Sequence, residues 1–165
     1  MVIILLGVSL LYPSCDGGDG ASDNPPVVDP DKPSYPTFGS PNWTVKDIKA
    51  FEHTMTVAVV LPDSLSSNVL GNDKLAAFVG SECRGVAEQL ELTPTKHIWM
   101  ITAYGNKTME NLTFKYYSSK TKYMYHSALA TPFVPDGNVG NIDNPQVIGM
   151  KVVTEEKLFG NRVYQ

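Results

Sequence analysis

Positive charge is scarce in this chain. Thirteen Lys and Arg stand against seventeen Asp and Glu, a formal net charge of −4, so no basic surface is offered to a nucleic acid. Cysteine is scarcer still. Cys15 and Cys83 are the only two, which excludes a scaffold of several disulfides, and no Cys-x-x-Cys pair or Cys and His cluster points to zinc or dithiol chemistry. The stretch Val2 to Leu11, apolar apart from Gly7 and Ser9, is too short to cross a bilayer as a helix. No Gly-x-Gly-x-x-Gly run opens a helix, so no phosphate loop is expected. Acid–base catalysis needs paired carboxylates, or a nucleophile with an oriented base. Asp63, Asp73, Glu82, Glu88, Glu91 and Asp136 are instead scattered over turns and strand edges. His53, His97 and His126 fall at the ends of different strands, where they form no metal trio. The expectation is a protein without catalytic residues, cofactor or metal.

What is present is punctuation. Twelve Pro and thirteen Gly imply many turns between short elements. Asp16 to Pro41 alone carries six prolines, four glycines and five aspartates against one lysine, Lys32. No helix persists there, and the composition is that of an extended acidic tether. Residues 42–165 hold twelve acidic and twelve basic side chains and are neutral. The division expected is a signal segment over 1–14, a tether over 15–41 and one folded domain over 42–165, long enough to bury a real core.

Alternation locates the strands. Met55, Val57, Val59 and Leu61 alternate with Thr54, Thr56, Ala58 and Val60, a strand with one buried face that Pro62 ends. Leu75 to Val79 and Cys83 to Ala87 flank Gly80-Ser81 as two strands around a tight turn. Further strands are expected at Val86 to Leu92, His97 to Tyr104, Asn111 to Ser118, Lys122 to His126 and Gln146 to Thr154. No crossover helix of adequate length appears. The fold class expected is all-β, an antiparallel sandwich of about six to eight strands, immunoglobulin-like or jelly-roll-like.

Leu11-Tyr-Pro-Ser-Cys15, placed after the apolar run and before Asp-Gly-Gly-Asp-Gly20, resembles the processing site of a bacterial lipoprotein. The resemblance implies that Cys15 is lipidated and that the tether holds the domain off the outer membrane, at the cell surface. Plain secretion, a buried N-terminal strand and a Cys15–Cys83 disulfide are the alternatives. Within the domain, the quoted motifs are Asn42-Trp-Thr-Val45, Phe51-Glu-His-Thr-Met-Thr-Val-Ala58, Asn72-Asp-Lys-Leu-Ala-Ala-Phe-Val-Gly80, Glu82-Cys-Arg-Gly-Val-Ala87 and Leu112-Thr-Phe-Lys-Tyr-Tyr117. Together they resemble a small β-sandwich module of exported Bacteroidetes proteins and surface lipoproteins. That resemblance implies a non-catalytic accessory role outside the cytoplasm and carries no catalytic residues with it.

Two candidate ligand contacts follow from residue chemistry. Tyr117, Tyr123 and Tyr125, with Trp99 near them, would form a flat platform for a sugar ring if exposed, whereas Phe114 and Tyr116 face inward. Arg84 sits between Cys83 and Gly85, where its planar fork either pairs with Asp73 or Glu82 or meets a ligand. Asp136, Asn138, Asn141 and Asp143 supply hard oxygens, but their spacing is not that of the twelve-residue calcium loop, and an ordinary polar loop is expected. Glycan recognition is the first functional expectation; a structural module contacting another surface protein is the second. Metabolic labelling with a palmitate analogue is expected to mark the wild-type chain and to leave Cys15→Ala unmarked.

Overall fold

The computed structural model describes residues 34–94, 96–106 and 110–154, within a folded unit that begins at Ser34. The expected signal segment, the expected lipidation at Cys15 and the first part of the Pro-rich stretch lie outside the described residues. In β1 (His53–Val60) Met55, Val57 and Val59 are buried while Thr54 and Thr56 face solvent, as the alternation requires, but Ala58, expected on the outer face, is buried as well. Beyond it the carbonyl of Pro62 accepts from the Leu65 and Ser66 N–H groups at 2.8 and 3.0 Å, so Asp63–Ser66 closes a single helical turn.

β2 (Lys74–Val79) and β3 (Glu82–Thr93) form the expected hairpin over Gly80-Ser81. Gly80, at φ 59°, takes the left-handed conformation that a two-residue hairpin loop demands and that glycine adopts freely. The two expected strands Cys83 to Ala87 and Val86 to Leu92 are one continuous strand. It pairs with β2 as far as Val86, then with β4 (Lys96–Gly105) from Ala87 onward. On the far edges, β4 pairs with β1, and β2 with β5 (Asn111–Tyr117). The sheet continues from β5 to β6 (Met124–Ser127) and on to β10 (Met150–Val152). β7 (Thr131–Pro132) adds to β5, while β8 (Asn138–Val139) and β9 (Gln146–Val147) lie parallel to β1.

The described residues are therefore all-β, arranged as one mixed, curled sheet of ten strands. Val57, Trp99 and Ile101 from one half share a single core with Leu75, Phe114 and Tyr116 from the other. Trp99 and Tyr116 meet there edge to face, with ring centroids 6.0 Å apart.

Where β3 changes partner, Ala77 stands opposite Gly85 and Phe78 opposite Cys83, which leaves Arg84 as the extra residue of a β-bulge. A bulge bends its strand and increases the local twist. It also turns Cys83 to the outer face beside Phe78, where strict alternation from Gly85 would have turned it inward. At the bend β3 crosses close to β4. A Cβ on Gly85 would lie 2.4 Å from the Thr102 carbonyl oxygen and 2.8 Å from Ile101 Cγ2, so only glycine fits.

The outer face of β2, β5 and β6 is also covered. Residues 34–45 run across it as a strap. The Phe38 N–H donates to the Lys122 carbonyl at 2.8 Å, and Lys74 Nζ donates to the Pro41 carbonyl at 2.6 Å. Trp43 meets Phe78 edge on at 5.5 Å and Tyr35 meets Tyr123 at 5.4 Å. Phe38 and Trp43 pack with Tyr117, Met124 and Val153 into a second small core. Residues 34–41, read from composition as the end of the tether, are thus held on the domain, because Tyr35 and Phe38 give that stretch apolar surface to bury.

The long loop after Phe133 has a structural task. Asp136 N–H donates to the Thr54 carbonyl at 2.8 Å, Thr56 N–H to the Gly137 carbonyl at 3.0 Å and Ile148 N–H to the Val60 carbonyl at 3.1 Å. These bonds occupy the open edge of β1, which would otherwise invite another strand. Gly85→Ala is expected to cost about 3 kcal/mol of stability, read as a lower urea midpoint at unchanged slope. Gly71→Ala, with nothing within 4 Å of the new Cβ, should change stability by less than about 0.5 kcal/mol.

Candidate binding surfaces

The aromatic platform does not assemble. Trp99 and Tyr117 are each 1 % exposed and present no ring face to solvent. Register explains why: Tyr116 faces Tyr125 and Tyr117 faces Met124, so Tyr117 and Tyr125 lie on opposite faces of the sheet. The connection between β5 and β6 runs from Ser118 to Tyr123, with Lys122 at φ 62°, and is wider than the gap between the expected strands Asn111 to Ser118 and Lys122 to His126. Tyr116 is buried on the core side as expected, and Tyr117 is buried on the other side by the strap. Tyr123 and Tyr125 remain half-buried, Tyr123 against Tyr35 and Tyr125 against Tyr116 at 5.6 Å.

Arg84 is committed internally. It is 7 % exposed. Its Nε donates to Glu82 Oε2 at 3.1 Å, Nη2 to Glu110 Oε1 at 3.2 Å and Nη1 to the Tyr104 carbonyl at 3.2 Å. The guanidinium carbon also stands 4.6 Å from the centre of the Phe51 ring. Glu82 is an expected partner; Glu110 takes the place considered for Asp73. Arg84 accordingly ties the bulge to the end of β4, the start of β5 and the segment before β1. That is a structural knot, and it corrects the reading of Arg84 as a ligand contact.

Asp73 is buried without a cation on its oxygens. Its Oδ2 accepts from the Tyr116 hydroxyl at 2.5 Å and the Leu70 N–H at 3.0 Å, and its Oδ1 from the Ser119 N–H and hydroxyl, both at 2.7 Å. Four donors replace the hydration that burial removes. The network fastens the turn before β2 to the turn after β5. Above it lies a polar cleft of about 470 Å³ lined by Ser40, Asn72, Asp73, Lys74, Tyr117, Ser119 and Lys122, with Gly71. Sequence reading missed this cleft, since its parts come from three distant segments; the one local signal was Asn72-Asp-Lys following a glycine.

A second surface is apolar. Of the eight large aliphatic side chains exposed among the described residues, Leu129, Val134, Ile142 and Val147 belong to one connection. Leu129 is 83 % exposed and Val147 58 %, and both line a groove of about 240 Å³ with Ala130, Pro132, Val139 and Ile148. The remaining lining, Ser127, Thr131, Gln146 and Gly149, brings no charge. Ala128 N–H bonds the Gly149 carbonyl at 2.8 Å where the two walls part.

Among the described residues no group of three or more His, Cys, Asp and Glu side chains is placed to share a metal ion. Asp136, Asn138, Asn141 and Asp143 are exposed, and Asn141 Oδ1 accepts from the Asn144 N–H at 2.7 Å. His97 is paired with Gln89 at 3.1 Å. Cys83 is a free thiol, and burial pushes its pKa up, away from reactive thiolate chemistry. No protein-family model, curated protein or solved structure matches the chain. Function is therefore argued from geometry.

Burial, and then the neighbouring Asp73 carboxylate, hold Tyr116 protonated well above the ordinary tyrosine range. An unfolded tyrosine ionises near about 10, so in alkali the folded chain binds more protons than the unfolded one. This contribution is complete below that pH and is lost as pH rises through and beyond it. Tyr116→Phe is expected to cost about 2 kcal/mol at neutral pH and to flatten the alkaline decline of stability followed by urea unfolding from pH 8 to 11.

Proposed function

We infer that the chain is a non-catalytic module of the cell surface that makes a protein–protein contact through the groove at Leu129 and Val147. The observation that carries this reading is the pairing of two facts: Trp99 and Tyr117 are buried, while an uncharged aliphatic groove stands open at the rim of the sheet. Burying Leu129 and Val147 against a partner would release about 1.5–3 kcal/mol for each side chain fully covered. The lining selects the partner's chemistry. An extended segment presenting one or two aliphatic or aromatic side chains fits a groove of this volume, and a charged one would be desolvated without compensation.

Location rests on the leader, Cys15 and the acidic Pro-rich stretch, which support export and lipid anchoring at the outer membrane. The resemblance to modules of Bacteroidetes surface proteins agrees with that address. The sharing of one core by the two halves of the curled sheet supports a sandwich-type module. Glycan recognition through the original aromatic set loses support, since only Tyr123 and Tyr125 keep any exposure.

A photoreactive residue at position 129 of the full chain, in the producing cell, is expected to give one discrete protein adduct that disappears with Val147→Asp. The same probe at Glu88, on a polar face, should give none. Diffuse labelling that survives Val147→Asp would reject the contact.

A further inference from the structure

We propose that the polar cleft between the strap and the β5–β6 turn binds a carboxylate-bearing sugar. This inference is independent of the apolar groove, since the two surfaces share no lining residue. The cleft volume of about 470 Å³ lies in the range of small-molecule sites, about 300–1,000 Å³.

Charge selects an anion. Lys74 and Lys122 line the cleft, and Lys120 stands on the same turn with its Nζ on Asn68 Oδ1 at 2.7 Å. The one carboxylate in the wall, Asp73, has both oxygens occupied by the four donors already described; its negative charge remains, so the two lysines leave the wall with a net excess of one positive charge. Lys74 spends one ammonium proton on the Pro41 carbonyl and keeps two for an occupant.

Two further features bear on an occupant and its test. Tyr117 is 1 % exposed and lines the cleft, yet its phenol has no hydrogen-bond partner among the described residues. That hydroxyl is not one of the fully buried polar atoms left without a partner, so it reaches solvent at the cleft and is free to donate to an occupant. Lys122 holds φ 62°, one of two non-glycine residues with positive φ among those described. Glycine would sit there without strain, so Lys122→Gly removes the ammonium without straining the backbone.

The rest of the wall suits a sugar better than a bare anion. Ser119 gives its hydroxyl proton to Asp73 and is left as an acceptor, Asn72 offers both donor and acceptor, and Ser40 adds a second hydroxyl. Alternating donors and acceptors match vicinal hydroxyls. Two separate ammonium groups match one carboxylate at the ring's edge, with no arginine fork or helix terminus of the kind that favours phosphate.

The test titrates the full chain with glucuronate, with a polyglucuronate, with glucose and with inorganic phosphate, following binding calorimetrically and by amide chemical shifts. Saturable glucuronate binding, with shifts at Lys74, Ser119 and Lys122 and at least tenfold weaker binding of glucose and phosphate, is the expected result. Tighter binding of the polymer would identify a chain as the source, and equal affinity per residue the free sugar; both support the site. Lys122→Gly relaxes the backbone while deleting the ammonium, so it should fold at least as stably and bind at least fivefold more weakly. Tyr117→Phe should weaken binding with a melting temperature that does not fall. Phosphate binding as tight as glucuronate, no saturable glucuronate binding, or unchanged affinity in Lys122→Gly would each overturn the proposal.

Discussion

The change of partner along β3 is the constraint from which the rest of the fold follows. One twelve-residue strand serves two neighbours in succession, and the sheet must turn on itself where the exchange occurs. The bulge at Arg84 supplies the bend, and Gly85 lets the bent strand lie against the Thr102 carbonyl. Once the sheet is curled, Trp99 from β4 can reach Tyr116 from β5, and a single core closes between strands distant in the ladder. Arg84, displaced from the alternation by the bulge, then finds its partners at the ends of β4 and β5. A buried arginine stripped of those partners would be an uncompensated charge, which gives the knot its importance.

A second layer of order is polar. Asp73 joins the turn entering β2 to the turn leaving β5 through four hydrogen bonds, and it fixes the ring of Tyr116 in the core. The same turns carry Lys74 and Lys122, and the strap bonds to both residues. The floor of the cleft, the packing of the strap and the anchoring of Tyr116 thus meet at one buried carboxylate.

Much of the fold was legible in the residues. The alternation from Met55 to Leu61, the hairpin at Gly80-Ser81 and the inward side of Phe114 and Tyr116 are local statements, and period and turn chemistry suffice for them. The candidate site was not legible, for a reason of parity. Whether Tyr117 shares a face with Tyr125 depends on the length of the β5–β6 turn, and a one-residue difference reverses the answer. Burial of Tyr117 then needed knowledge that Tyr35, Phe38 and Trp43 return over its face, and composition alone classed most of that stretch with a solvated tether. The parallel strands β8 and β9 were equally hidden, since two-residue pairings carry no periodicity of their own.

The strap gives the domain an unequal response to force. Any tension arriving from the chain before Ser34 is received first by residues 34–45, which are held by a few hydrogen bonds and the edge contacts of Tyr35 and Trp43. The ladders of β2, β3, β4 and β5 lie behind them and are bonded independently of the strap. Peeling lengthens the connection by the reach of about a dozen residues, roughly 40 Å at full extension, and it uncovers Tyr117 and Met124 while the main core stays closed. Lifting residues 34–45 would therefore open a second apolar face on β5 and β6 while leaving the pairing of those strands in place.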